Sequence, residues 1–352
     1  MQIPVQNIYY LLCYAWDKLE EGESVKVSQS DYSSAIELYA RVLINGCTHL
    51  FKRGLEHNYN SISEEYVGIK GKIDFNRSLN KNLFRQGRAV CQYDEFEVNI
   101  LQNQLIKATL KRLIRVKGID KEITNSLYFY YWKFVNVDDI EIHLPYFSQV
   151  KIHRNNSFYD FLLKICRLIF ENTVLNEVDG TYAFKDFVRD QGQMAGLFEA
   201  FIRNFYKKEH EHLFNVFREN ITWEATPLGN STLDYLPQMQ TDISLESPTR
   251  KIIIETKYYQ DALSSRFEGK EKFNSGNLYQ LYSYLRNIET KTSHLHNKVS
   301  EGILLYPAVG YQFSESYIIG GHKLSVETID LSKEWKEISR DLILILKEKE
   351  EI

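Results

Sequence analysis

The sequence lacks any paired-cysteine motif. Cys13, Cys47, Cys91 and Cys166 are its only cysteines, and no two stand in a C-x-x-C spacing. They offer no zinc ribbon or disulfide framework, and they are too scattered for the ligand runs of an iron–sulfur cluster. Reduced, mostly buried thiols are expected. An excess of positive charge is also missing: 43 Lys and Arg stand against 47 Asp and Glu, a formal charge of −4. Binding nucleic acid by bulk electrostatics alone is thereby disfavoured, because that grip comes from Lys and Arg neutralising phosphates. No G-x-x-x-x-G-K-[ST] loop is present, so P-loop nucleotide chemistry does not belong to this chain. The opening MQIPVQNIYYLLCYAW has neither the basic head nor the small-residue cleavage site of a signal peptide. Its apolar stretch is too short to span a bilayer. A cytoplasmic protein without membrane contact is expected.

What is present is an aromatic-rich chain of 352 residues, with 24 Tyr and 20 Phe, suited to large, well-filled cores. That length exceeds what one core usually holds. Two domains are expected, an α+β domain over residues 1–155 and an α/β domain with a mixed sheet over 156–352. In the first, Glu64–Phe75 alternates and carries glycines, as strands with a tight bend do. Glu97–Ile114 and the segment KEITNSLYFYYWKF have helical periodicity. The run Tyr128–Trp132 could stack on bases, but core packing is the commoner use of such a run. A boundary near Tyr146–Ser157 precedes a helix over Phe158–Asn172 that Ser157 is placed to cap. Helix Met194–Glu209 sets Leu197, Phe198, Phe201 and Phe205 on one face. A strand QMQTDISL, a buried strand through Ile252–Ile254, a helix over Asn274–Ile288 and a strand Gly302–Pro307 follow. A hairpin then turns at Gly320–Gly321, and a final helix is capped by Ser332. Helices interleaved with strands in this order predict helices flanking a mixed sheet.

The stretch Thr241–Tyr259, TDISLESPTRKIIIETKYY, puts charge where a buried strand should be apolar. Strand alternation places Glu255 and Lys257 on one face, about 6.6 Å apart. If the polar turn ESPTR is centred between Pro248 and Thr249, antiparallel pairing sets Asp242 opposite Glu255 at about 4.5–5.5 Å between Cα atoms. Facing carboxylates destabilise a hairpin unless something neutralises them, and a divalent cation with a preference for oxygen, such as Mg²⁺, does so. A partly buried Lys–Glu pair with Asp242 at a solvated strand end is the plainer alternative. Downstream, Gln280 and Tyr284 stand at i and i+4 on one helix face, a polar pair suited to holding a phosphate or a water. Glu199 interrupts an apolar helix and could bring a third carboxylate, although a single helical Glu is more often solvated. His210, His212 and His322 are given no metal role, and the basic segment Thr109–Lys117 is taken as a solvated helix face.

Glu199, Asp242, Glu255-Thr256-Lys257 and Gln280–Tyr284 together resemble the PD-(D/E)xK nuclease superfamily, with Thr241 standing where a Pro is usual. With Ile3–Trp16, Gly68–Phe75 and Asn277–Leu285 included, the chain resembles the McrC family, nuclease subunits of modification-dependent McrBC restriction systems. The resemblance implies a restriction-endonuclease-like domain at 156–352 and a partner-binding domain at 1–155. It also implies an McrB-like AAA+ GTPase ring as partner, with GTP used by that ring, and double-stranded DNA carrying modified cytosine as substrate. Implied at the site are Mg²⁺, with Mn²⁺ as substitute, on Asp242, Glu255, the Thr256 carbonyl and Glu199. Lys257, Gln280 and Tyr284 would complete the catalytic set. Two rival readings remain: a stand-alone RecB/Cas4-like exonuclease, and a non-catalytic GTPase-activating adaptor that keeps the nuclease fold.

Overall fold

Pro4 sets the start of helix α1 (Val5–Ala15), which buries Ile8, Leu11 and Leu12 on one stripe. This first helix does not join the segment that follows it. In the computed structural model, which describes residues 3–25, 34–151, 156–185, 188, 190–258, 263–265, 271–289 and 295–347, the chain divides into two compact units. One is formed by residues 23–185, and the other by residues 1–22 together with 186–352.

The 23–185 unit combines helices with a small antiparallel sheet. Helix α2 (Ala35–Arg53) buries Leu38, Tyr39, Val42 and Leu43. Strands β1 (Asn58–Val67) and β2 (Lys72–Ile73) both pair antiparallel with β3 (Arg88–Glu97), in agreement with the bend expected in Glu64–Phe75. Helices α3 (Leu101–Ile114), α4 (Lys121–Lys133) and α5 (Ser157–Glu171) complete it. Helix α5 therefore lies with the residues before it, and the boundary expected at 155/156 falls instead at 185/186. The cap of α5 is Asn156 rather than Ser157, and neither side chain caps it by a hydrogen bond. The aromatic run on α4 is not core either: Tyr128, Phe129 and Trp132 are exposed, while Ile123 and Leu127 carry the buried stripe.

The second unit begins again with α6 (Gln191–Glu209). Asp190 caps it by accepting from the Gln193 N–H at 2.9 Å, and Met194, Phe198, Phe201, Ile202 and Phe205 form its buried stripe. Leu197 is only half-buried, one position off that stripe. The six-stranded sheet uses β4 (Asn215–Phe217), β5 (Ile243–Glu246), β6 (Lys251–Thr256), β7 (Glu301–Ala308), β8 (Ser314–Ile319) and β9 (His322–Asp330), in the order β8-β9-β7-β6-β5-β4. β6 is parallel to β7 and antiparallel to β5, so the sheet is mixed. Every residue of β6 is buried, as a strand covered on both faces requires. Helix α7 (Ser275–Glu289) covers one face, where Leu281, Tyr284 and Leu285 pack with Ile253, Leu304 and Val326. Gly302 permits that approach, since a Cβ there would come within 2.9 Å of the Leu281 side chain. Ile252 and Ile254 point to the opposite face by alternation. There α6 and α8 (Trp335–Ile345) are tied by a 2.9 Å bond from the Tyr206 hydroxyl to the Leu342 carbonyl. Glu334, not Ser332, precedes α8; the Ser332 hydroxyl is spent on Asp330. The β8–β9 hairpin turns at Gly320–Gly321, both at positive φ.

α1 belongs here because it packs along α6. Asn204 donates to the carbonyls of Tyr14 and Ala15, and the Tyr14 hydroxyl to Glu209 Oε1, all at 3.0 Å. Asn7 is 5% exposed and donates to the carbonyls of Leu331 and Lys333 at 2.8 and 2.9 Å. Asn7→Ala removes both bonds and is expected to lower stability by about 1–3 kcal/mol, read as a lower urea midpoint. An unchanged midpoint would refute this anchoring role for α1.

Candidate active site

The site starts from a turn. Ser247 accepts at its hydroxyl from the Arg250 N–H, and its own N–H donates to the Arg250 carbonyl, both at 2.9 Å. This closes β5 onto β6 with Ile243 opposite Ile254, Ser244 opposite Ile253, Leu245 opposite Ile252 and Glu246 opposite Lys251. One further step sets Asp242 against Glu255, the register that the turn predicts. The expected strand QMQTDISL is nonetheless interrupted. Met239–Gln240 pairs separately with Asn220–Ile221, because Thr241 leaves the sheet to bond with Glu219: its N–H donates to the Glu219 carbonyl and its hydroxyl accepts from the Glu219 N–H, both at 3.0 Å. Asp242 sits at the break. Its Oδ2 accepts from both the N–H and the hydroxyl of Thr256 at 2.9 Å.

Glu255 occupies the centre. Its Oε1 accepts from Lys257 Nζ at 2.9 Å and from Gln280 Nε2 at 2.7 Å. Lys257 Nζ also donates to Gln280 Oε1 at 3.0 Å, Gln280 Nε2 to the Tyr284 hydroxyl at 2.8 Å, and that hydroxyl to the Gln240 carbonyl at 3.1 Å. Asp242, Glu255, Lys257, Gln280 and Tyr284 are therefore brought together, and α7 presents Gln280 and Tyr284 on one face as i, i+4 spacing requires. Glu255 Oε2 is different. It is buried and has no hydrogen-bond partner. Burial first, and the nearby Asp242 charge second, push the Glu255 carboxyl up to about 7, against the opposing pull of Lys257.

An unpartnered buried carboxylate oxygen beside a second carboxylate fits a small hard cation, which favours oxygen donors and retains part of its water shell. Glu199 does not complete the donor set. Its Oε1 is taken by Arg203 Nη1 at 2.7 Å and by Arg218 Nη2, so two guanidinium groups already neutralise it. Among the described residues no group of three His, Cys, Asp or Glu stands ready for a metal. Two features escaped the sequence: the Thr256 side chain and N–H as the clamp on Asp242, and the arginines around Glu199. The first follows a strand break that periodicity does not show; in the second, Arg203 is an i, i+4 neighbour of Glu199, but Arg218 comes from a separate element. His322 is buried, with Nδ1 facing the Ser300 carbonyl at 3.0 Å, away from this network.

Comparison with known proteins bears on this geometry. The family model described as "McrBC 5-methylcytosine restriction system component" matches residues 6–307. The chain belongs to that family. An Escherichia coli K12 protein of the McrBC family, "Type IV methyl-directed restriction enzyme EcoKMcrBC", is 32% identical over 346 residues, covering 98% of each chain. The fold is similar to that of a Thermococcus gammatolerans assembly described as McrB AAA+ hexamers with bound McrC. There the TM-score is 0.62 at 15% identity, over 97% of this chain and 76% of that one. No helix among the described residues is long and apolar enough to cross a membrane.

The raised Glu255 carboxyl has a thermodynamic consequence. The folded protein holds that proton more tightly than the unfolded chain, so the associated stability is full below about pH 4.5 and is lost as pH rises through about 7. In metal-free protein, melting temperature is expected to fall by a few degrees more between pH 5 and 7.5 for the parent than for Glu255→Gln. Parallel pH profiles would show that Glu255 is not strained by burial.

Proposed function

We propose that this chain is the nuclease subunit of a modified-cytosine-dependent restriction complex. In this reading it binds and stimulates an McrB-like AAA+ GTPase ring and hydrolyses DNA phosphodiester bonds. The observation that carries the reading is Glu255 itself, whose Oε1 is held by Lys257, whose carboxyl feels the Asp242 charge, and whose buried Oε2 is left without a hydrogen-bond partner. Support comes from family membership, from the E. coli relative's name as a restriction enzyme, and from the T. gammatolerans assembly's description as McrB hexamers with bound McrC. The sequence carries no phosphate loop, which supports a reading in which GTP is used by the partner.

Asp242 and Glu255 would hold Mg²⁺, or Mn²⁺ in its place, with the Thr256 carbonyl as a further oxygen donor. Two carboxylates suffice, because Mg²⁺ commonly binds one or two carboxylates together with substrate phosphate and water. The ion supplies Lewis acidity at the scissile phosphate and a more acidic water. Thr256 fixes Asp242 by two hydrogen bonds, and Gln280 fixes Glu255 and Lys257 at once. Lys257, about 15% exposed at its side chain, would donate to the attacking water and then to the charge that develops on phosphorus oxygens. Tyr284 anchors Gln280 to the Gln240 carbonyl and so keeps α7 in register with the site.

Asp242→Ala and Lys257→Ala are each expected to reduce GTP-dependent cleavage of methylated plasmid by at least about a hundredfold, with GTPase stimulation of the partner retained. Parent-level cleavage by either variant would overturn the assignment. Metal-dependent cutting by the parent without partner or GTP would instead favour a stand-alone nuclease. No cutting under any condition, with GTPase stimulation intact, would favour the adaptor reading.

A further inference from the structure

The arginine pair that occupies Glu199 has no role in the site described so far. We propose that Arg203 and Arg218 form a clamp for a DNA backbone phosphate beside the Asp242–Glu255 pair, and that Glu199 is the positioning residue of that clamp rather than a metal ligand. The inference rests on the nuclease reading and deepens it.

Both arginines reach the site from different elements. Arg203 stands one turn after Glu199 on α6, its side chain 24% exposed and its Nη1 2.7 Å from Glu199 Oε1. Arg218 follows β4 and donates to the same oxygen from a more open position, 44% exposed. Its neighbour Glu219 is the residue whose backbone pairs twice with Thr241. Arg218 and Asp242 therefore each lie one residue from the same Glu219–Thr241 pair of hydrogen bonds, one between backbones and one to the Thr241 hydroxyl. Arg203 also senses the Asp242 charge, which counters the lowering that burial imposes on its guanidinium.

The chemistry of the cluster favours an anion. One carboxylate shared by two guanidinium groups leaves a local charge of +1 next to the catalytic carboxylates. Each guanidinium has five N–H donors in a fixed fork. One nitrogen of each side chain engages Glu199, and the remaining donors make no hydrogen bond among the described residues. Among the described residues no arginine forms an ion pair with Asp242, whose Oδ2 is held by Thr256. A phosphate diester, with two unesterified oxygens, matches such forks. Sharing Glu199 also fixes both side chains before DNA arrives, which reduces the rotamer entropy lost on binding. In a chain of net charge −4, a local cationic seat is what lets one strand approach two carboxylates.

The test uses the complex with its GTPase partner, GTP, methylated plasmid and the variants Arg203→Ala, Arg203→Lys, Arg218→Ala, Glu199→Gln and Asp242→Ala. Each arginine-to-alanine variant is expected to lose roughly tenfold to a hundredfold in cleavage, with melting temperature and GTPase stimulation unchanged. For duplex binding in EDTA, the slope of log affinity against log salt should become shallower by about one. Arg203→Lys, which keeps charge but not the fork, should recover only part of the activity. Glu199→Gln should slow cleavage without moving the Mg²⁺ concentration that gives half-maximal rate. Parent-like cleavage and salt slope in both alanine variants would overturn the clamp. So would a tenfold shift in Mg²⁺ half-saturation for Glu199→Gln. If Asp242→Ala cuts like the parent, the nuclease reading itself fails. If Asp242→Ala is inactive while both arginine variants cut normally, only the clamp fails.

Discussion

Two carboxylates held against each other on adjacent strands are the constraint around which this unit is built. The Ser247–Arg250 turn sets the register, the register sets Asp242 beside Glu255, and the sheet buries Glu255 while leaving Asp242 half-buried. Left alone, a buried carboxylate beside a second one would cost several kcal/mol. The protein offsets only part of that. Lys257 and Gln280 satisfy one oxygen of Glu255, Thr256 satisfies one oxygen of Asp242, and Glu255 Oε2 is left bare with its carboxyl pushed up to about 7. A cation between the two carboxylates would relieve that residual strain, which is the basis on which the network is proposed as a site.

The rest of the unit keeps this arrangement in place. Helix α7 is set close to β7 by Gly302 and tethered by Tyr284, so Gln280 arrives at a fixed height above Glu255. On the other face α6 is braced by α1, whose residues are nearly two hundred positions earlier in the chain. That brace fixes the helix carrying Glu199 and Arg203. A sheet whose supporting helix is braced by α1 is not separable from the rest of the chain at a single point in the sequence.

Much of this was legible beforehand, for physical reasons. A charged pair in a triple-isoleucine strand is costly, so the sequence alone marks this position as one that needs compensation, and the polar turn fixes which Asp faces which Glu. The i, i+4 spacing of Gln280 and Tyr284 is a local geometric rule and it held. Tertiary choices were less visible. The apolar stripes of α1 and α5 are equally hydrophobic whichever unit they join, so the boundary was misplaced at 155/156. The aromatic run on α4 satisfies a core composition, yet the helix turns Ile123 and Leu127 inward and leaves Trp132 outside. Glu199 was read as a candidate ligand because its neighbours in sequence are apolar. Arg203, one turn further along the same helix, is a partner that i, i+4 spacing allows, whereas Arg218, nineteen residues on, becomes one only when β4 folds beside α6. Family comparison agrees with the reading of the chain as a member of the McrBC family, and the geometry brings Asp242, Glu255, Lys257, Gln280 and Tyr284 together.

The most direct test is to locate the cation. Crystals of the protein soaked in Mn²⁺ should show one anomalous peak within about 2.3 Å of a carboxylate oxygen of Asp242 and of Glu255 Oε2, and that peak should vanish in Asp242→Asn. A peak seated on Glu199 instead, or no peak between the two carboxylates at saturating Mn²⁺, would contradict the account.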